Sequence, residues 1–86
     1  MYSESDFPLE YFIKLENNDY YDGRIIVNKY SRLDKSEYSV EIDIVNIESR
    51  KIYQHVDILY GVESVDEATH LGVQKLSNFI INLKTS

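Results

Sequence analysis

Apolar and polar residues alternate along residues 9–16, and an alternation of period two predicts a half-buried β-strand. The apolar side of this segment carries Leu9, Tyr11, Ile13 and Leu15. The residues 17–19 that follow are Asn, Asn and Asp, which tolerate the left-handed conformations of turns. The only proline, Pro8, lies just before the segment, and we expect residues 1–8 to form a loose tail.

A second strand is predicted over residues 21–30, with three consecutive β-branched residues at positions 25–27 in its centre. Within it, the dipeptide Asp22-Gly23 is typical of a tight hairpin turn. The dipeptide is therefore either the true turn or a bulge inside a longer strand, and the pattern leaves both alternatives open. Residues 31–37 are polar and charged, which predicts a loop.

Two further strands are predicted over residues 38–47 and 52–60, joined by a short turn at residues 48–51. Their inward positions are Tyr38, Val40, Ile42, Ile44, Ile52, Val56, Ile58 and Tyr60. Short connections between consecutive strands favour an antiparallel meander, because parallel pairing needs a crossover of a dozen or more residues.

After Gly61 the apolar period changes to that of a helix, predicted over residues 65–84. Its apolar stripe consists of Val65, Ala68, Gly72, Leu76, Phe79, Ile80 and Leu83. Ser64 and Glu67 have the spacing of a capping box at the helix start. Gly72 lies in the middle of the stripe, which predicts a close approach of the helix to the sheet.

The sequence therefore predicts one α+β domain over residues 1–86, a four-stranded antiparallel meander with a C-terminal helix packed on one face. A single helix covers only one side of such a sheet. The other side must face water or a partner.

The outward strand positions combine carboxylates with aromatic and apolar groups. Seven of them are candidate partner-binding residues: Glu10, Phe12, Glu41, Asp43, Tyr53, His55 and Asp57. The same face is expected to carry Lys14, Glu16, Val45 and Leu59. In a docking surface, the carboxylates would steer a basic partner, and Phe12 and Tyr53 would anchor it. The alternative is an ordinary solvated sheet face.

Eight tyrosines are many for a chain of this length, and tyrosine is favoured both in strands and at interfaces. We expect three of them, Tyr11, Tyr38 and Tyr60, to lie in the core. The contact candidates are Tyr20, Tyr21, Tyr30 and Tyr53.

The chain of 86 residues carries 15 Asp and Glu against 9 Lys and Arg, a formal charge of −6. This balance argues against direct nucleic-acid binding, which needs a basic patch. There is no Cys, no apolar run long enough for a membrane span and no signal-peptide pattern at the N-terminus. We therefore expect a cytoplasmic protein without disulfides.

His55 and Asp57 lie two apart on one predicted strand and would share a face. They are candidates for an acid–base pair or part of a metal site, and the alternative is a surface ion pair. The three glycines are scattered rather than grouped in a phosphate-binding loop. We therefore expect no enzymatic activity, no cofactor and no metal.

Residues 60–68, which close the run of strands and open the final helix, resemble the corresponding part of small acidic immunity proteins of bacterial contact-dependent inhibition and other polymorphic toxin systems. The matching Gly-x-x-Ser-x-x-x-Ala positions are Gly61, Ser64 and Ala68. The resemblance implies an inhibitor that binds one cognate toxin, often a nuclease, and occludes its active site or substrate groove. The toxin-contacting residues of this family vary, so the resemblance assigns none here.

Two other functions fit the same features. An acidic face would also suit a phage or mobile-element protein that mimics nucleic acid and inhibits a host defence nuclease. An uncovered sheet face or edge strand would suit a small homo-oligomeric structural protein, and a homodimer is compatible with either function.

Overall fold

The computed structural model describes residues 6–15, 19–33 and 35–85. They form a four-stranded antiparallel sheet in the order β1-β2-β3-β4, followed by one C-terminal helix, which confirms the predicted fold. The elements are β1 (Leu9–Lys14), β2 (Tyr21–Arg32), β3 (Lys35–Asn46), β4 (Ile52–Val62) and α1 (Val65–Thr85). No helix in the described part of the chain is both long and apolar enough to cross a membrane.

The hairpin of β2 and β3 is longer than predicted, and the expected loop at residues 31–37 is wrong. Pairing continues without interruption from Tyr21 opposite Asn46 to Arg32 opposite Lys35. The turn contains Leu33, which has a φ of 50°. Lys35 and Ser36 are exposed, so the polar composition reflects solvent around this end of the hairpin rather than an end of the strands.

The dipeptide Asp22-Gly23 is neither a turn nor a bulge. It lies in regular register inside β2, with Gly23 between Ile13 of β1 and Ile44 of β3. A Cβ on Gly23 would lie 2.3 Å from Cδ2 of Leu76 in α1. The glycine is therefore explained by the close packing of the helix on the sheet, a tertiary contact that a local turn signal does not reveal.

The core lies between α1 and one face of the sheet. Its fully buried members include Ile25 and Val27 of β2, Val40 and Ile42 of β3, and Ala68 of α1. The helix and the sheet are in close contact at Gly72, as predicted, because a Cβ at this position would lie 2.9 Å from Cγ2 of Ile25. This confirms the expected role of Gly72.

Two of the three tyrosines expected in the core, Tyr11 and Tyr38, pack against it. Tyr60 is 69% exposed, so its core assignment is wrong. Its ring contacts that of Tyr30 edge-on, with centroids 6.5 Å apart. In the predicted tail, residues 1–5 lie outside the described part, but Phe7 is half-buried and its ring lies 5.8 Å from that of Tyr38.

The predicted cap opens α1. The hydroxyl of Ser64 accepts a hydrogen bond of 3.1 Å from the backbone amide of Glu67. The Ser64 carbonyl accepts the first helical bond, from Ala68 at 3.0 Å. Asp66 and Glu67 in the first turn add favourable charge at the positive end of the helix dipole.

Candidate functional site

The sheet face opposite α1, called the open face here, is defined by three rows of side chains that follow the strand register from β1 to β4. The central row is Phe12, Arg24, Asp43 and His55. One flanking row is Glu10, Ile26, Glu41 and Ile58, and the other is Lys14, Asp22, Val45 and Ile52.

Arg24 lies at the centre of the open face and organises the carboxylates around it. Its Nη2 lies 3.1 Å from Oδ2 of Asp43 and 3.9 Å from Oε2 of Glu41, and its Nη1 lies 3.8 Å from Oε2 of Glu10. The Arg24 side chain is only 14% exposed and that of Asp43 is fully buried. The face therefore contains a buried ion pair although α1 packs on the opposite side.

His55 is the second partner of Asp43. Its Nδ1 lies 2.8 Å from Oδ1 of Asp43, so each carboxylate oxygen has a nitrogen neighbour. Burial alone would raise the pKa of Asp43. Hydrogen bonds with Glu41, His55 and Arg24, together with the positive charge of Arg24, outweigh burial and hold this pKa below its ordinary value. Asp43 is therefore ionised, and Nδ1 of His55 is the donor.

The pKa of Glu41 is shifted in the opposite direction. Its hydrogen bond to Asp43 raises the pKa, and burial and the Asp43 charge raise it further, against the attraction of His55 and Arg24. When Glu41 is protonated, its carboxyl group can therefore donate to Asp43. Two neighbouring carboxyls with opposite shifts are the expected result when one hydrogen bond connects them.

Glu10, Arg24, Glu41, Asp43 and His55 together are called the Arg24 cluster. Three carboxylates surround one guanidinium, which gives a net charge of −2 when all three are ionised and His55 is neutral. Glu10 is 45% exposed and Glu41 is 32% exposed, so the excess negative charge is accessible from solvent. The charge of Asp43 contributes to the raised pKa of Glu41, after the hydrogen bond to Asp43 and burial.

We expect Glu41→Gln to stabilise the protein by about 1 kcal/mol at neutral pH, because the amide can donate to Asp43 without a proton from solvent. A raised folded-state pKa means that the contribution of Glu41 is fully present below its unfolded pKa. This contribution is lost as pH rises through the folded pKa. Urea denaturation at a series of pH values above the ordinary carboxyl range should show that the free energy of unfolding of the variant increases relative to that of the wild type as pH rises.

The control is Glu48→Gln in the exposed turn after β3, which should follow the wild-type pH profile. Equal pH dependence in Glu41→Gln and the wild type would show that Glu41 does not share its proton with Asp43.

The side chain of Arg50, in the turn between β3 and β4, extends over the part of the open face that contains Phe12 and Asp22. Its guanidinium lies 4.2 Å from the centre of the Phe12 ring and 3.3 Å from Oδ2 of Asp22. The turn is closed by Asn46, whose side-chain oxygen accepts hydrogen bonds from the amides of Glu48 and Ser49. Arg50 therefore covers one side of a ring that is 41% exposed.

Five of the seven candidate partner-binding residues lie on the open face: Glu10, Phe12, Glu41, Asp43 and His55. Asp43 is fully buried, so it supports its neighbours rather than meeting a partner directly. Among the other residues expected there, Lys14 and Val45 lie on this face but Val45 is buried, and Glu16 lies outside the described residues.

Asp57 and Tyr53 are not on the open face, so their predicted placement is wrong. Asp57 pairs opposite Ile42, and its Oδ2 lies 3.7 Å from Nζ of Lys75 in α1. The Tyr53 ring lies 4.5 Å from that of Tyr21, which packs against the core.

Register shifts in the pairing of β3 with β4 explain these errors. They occur at three places, between Tyr38 and Val40, between Ile42 and Asp43, and between Ile44 and Val45. Each shift reverses the faces of the residues beyond it, as a bulge does. Leu59 accordingly packs against the core, whereas Ile52 and Ile58 lie on the open face.

The predicted pairing of His55 with Asp57 is replaced by the pairing of His55 with Asp43. A buried carboxylate that orients an imidazole through Nδ1 is an arrangement that enzymes use for proton transfer. Two surface cavities, of about 330 and 440 Å³, lie elsewhere and share no residue with the Arg24 cluster. Neither of these two cavities therefore adjoins the imidazole that Asp43 orients.

Glu41, Asp43 and His55 each offer a metal-ligating atom, and these atoms lie within 4.8 Å of one another. Arg24 lies within 3.1 and 3.9 Å of two of these three residues, and both oxygens of Asp43 are already engaged. The guanidinium therefore already supplies a positive charge beside Glu41 and Asp43, and a metal ion at these residues would compete with it.

Comparisons of this chain with protein-family models, with curated proteins and with solved structures found no match. Its function therefore has to be inferred from its own residues.

Proposed function

We propose that this chain is a protein-binding inhibitor of the immunity type, which docks its open face on the active site or substrate groove of a cognate bacterial toxin, a nuclease domain. The observation that carries the proposal is the charge excess of the Arg24 cluster, in which three carboxylates share one guanidinium. A nuclease groove is basic because it binds phosphates. Its Lys and Arg side chains would complete the neutralisation of Glu10 and Glu41.

Apolar side chains beside the cluster supply the second requirement of a protein interface. Phe12 is 41% exposed and Ile52 is 51% exposed, and both lie on the open face. Ile26 and Ile58 lie in the same row as the two accessible carboxylates. Anchors of this kind give most of the binding energy once water is excluded, and charges around them set the association rate.

The fixed geometry of the Arg24 cluster also favours binding. Arg24 and His55 are each hydrogen-bonded to Asp43, so these side chains are ordered before a partner arrives. Ordered side chains lose little conformational entropy on binding. The resemblance at residues 60–68 supports the architecture and not the choice of binding surface. Ser64 caps α1 and Gly61 has a φ of 72°, so both residues have local structural roles.

The test is binding to the toxin domain encoded by the gene next to this one. Glu10→Lys should slow association about tenfold at low salt and less at high salt, because the carboxylate steers a basic partner. Phe12→Ala should raise the dissociation rate about tenfold, since an anchor contributes about 1–2 kcal/mol.

The matched controls lie off the open face. Glu48→Lys makes the same charge change in the exposed turn after β3, and Tyr53→Ala removes an exposed aromatic ring. Unchanged rates for both open-face variants, or equal changes in the controls, would contradict the docking surface. A neighbouring gene that encodes no secreted multidomain protein with a variable C-terminal end would contradict the immunity role.

A further inference from the structure

The outer edge of β4 is a long strand edge without a neighbouring strand in the described part of the chain. The other edge strand, β1, has six residues and β4 has eleven. β4 contains no Lys and no Pro, and Asp57 is its only residue with a formal charge. Ile52, Tyr53 and Tyr60 on this strand are each more than half exposed. Such an edge is a template for pairing with another chain unless something blocks it.

Asp57 blocks the middle of this edge. Its Oδ1 accepts a hydrogen bond of 2.8 Å from the backbone amide of Ile58. A carboxylate cannot enter the space between two paired strands, so the Ile58 amide must point to the outer side of β4. The second oxygen, Oδ2, lies 3.7 Å from Nζ of Lys75. Each carboxylate oxygen therefore has a partner, and the carboxylate is held beside the outward amide of Ile58.

A different contact engages the C-terminal end of β4, at Gly61. The backbone amide of Gly61 donates to the hydroxyl of Tyr30 at 2.8 Å. Tyr30 belongs to β2, so its side chain crosses β3 to reach this amide. Gly61 has a φ of 72° and lies at one of the register shifts between β3 and β4. The three register shifts between β3 and β4 bend the strand further.

We propose that Asp57 prevents β4 from pairing with β4 of a second copy of this chain, by occupying the outward amide of Ile58. A second copy is the occupant that fits, because antiparallel pairing about a two-fold axis brings apolar and uncharged side chains of β4 together. Like charges meet only in the one register that places Asp57 opposite itself. The inference is independent of the proposed function, because the β4 edge is not part of the open face.

The test compares three variants by sedimentation equilibrium over a wide range of concentrations. Asp57→Ala frees the Ile58 amide and should dimerise about tenfold more tightly than the wild type, or more. Asp57→Asn loses the charge but keeps an oxygen that can accept from Ile58, and should sediment as the wild type does. Lys75→Ala removes the ion pair and leaves the cap, and should also match the wild type.

Equal self-association of Asp57→Ala and Asp57→Asn would show that charge rather than the hydrogen bond protects the edge, and would overturn the proposal. A wild-type dimer formed through β4 that is as tight as that of Asp57→Ala would overturn it as well. Amide exchange in the wild type gives a test that does not depend on the folding of any variant. The Ile58 amide should be protected, and exchange at the rate of an unstructured amide would refute the cap.

Discussion

Replacing Arg24 with methionine is expected to lower the free energy of unfolding by about 3–5 kcal/mol, because the variant leaves a buried charge without its cation. Asp43 is fully buried and its pKa is held low by its three partners, of which Arg24 supplies the only permanent positive charge. Glu10 and Glu41 would lose the same guanidinium. Urea denaturation near neutral pH measures the effect directly.

The control is the double variant Arg24→Met with Asp43→Leu, which removes both charges of the buried pair. Replacement of a whole buried pair by apolar residues is often close to neutral, so most of the lost stability should return. A loss for Arg24→Met no larger than that of an exposed ion pair, about 1 kcal/mol or less, would show that Asp43 is not dependent on Arg24.

Gly23→Ala is expected to destabilise the protein by about 2–3 kcal/mol, because the new methyl group would lie 2.3 Å from Cδ2 of Leu76. Leu76 is 2% exposed, so its side chain must leave its packed position to admit the methyl group. Combining Gly23→Ala with Leu76→Ala should cost less than the sum of the two changes, since the second removes the clash. Thermal or urea denaturation of the four proteins in this cycle measures the coupling.

Gly72→Ala provides the comparison within α1. Its methyl group would lie 2.9 Å from Ile25, but the helix would gain about 1 kcal/mol from the exchange of glycine for alanine. We therefore expect a smaller loss than for Gly23→Ala. Additive effects of Gly23→Ala and Leu76→Ala would contradict the close packing of α1 on β2.

The fold could be predicted because its main elements follow their periods. Burial alternates along β1, apolar and polar residues alternate over residues 38–44 of β3, and the apolar stripe of α1 begins at a cap formed by Ser64. The ends of β2 and β3 could not be predicted, since a hairpin that extends into solvent has a polar sequence without a break in pairing. Asp22-Gly23 was ambiguous because a glycine required by Leu76 looks the same in sequence as a glycine required by a turn.

The candidate site was predicted only where strand register is regular. Period two places Glu10, Phe12, Glu41 and Asp43 on one face, as the structure has them. It fails for Asp57, because bulges between β3 and β4 reverse the faces along β4. Arg24 was missed because the unresolved role of Asp22-Gly23 left β2 without assigned faces. The one sequence signal for Arg24 is its position next to Ile25 in the centre of the strand, since consecutive strand residues lie on opposite faces.

The Arg24 cluster carries a desolvation cost that an apolar row would not. Arg24 is largely buried, and its Nε has no hydrogen-bond partner within the described segments. Replacement of buried ion pairs by apolar residues is often neutral or stabilising, so their presence is not explained by stability alone. Departures from an ordinary apolar or solvated surface are expected where a protein has a function. This cost is the physical reason for placing the binding site on the open face.

Side-chain oxidation by hydroxyl radicals, with and without the toxin domain proposed as the partner, tests that placement most directly. One aromatic pair and one histidine pair are matched: Phe12 and His55 lie on the open face, whereas the exposed Tyr53 and His70 lie elsewhere. We predict that the proposed partner protects Phe12 and His55 and leaves Tyr53 and His70 as reactive as before. Protection of His70 or Tyr53, with Phe12 and His55 unchanged, would contradict the open face as the binding surface.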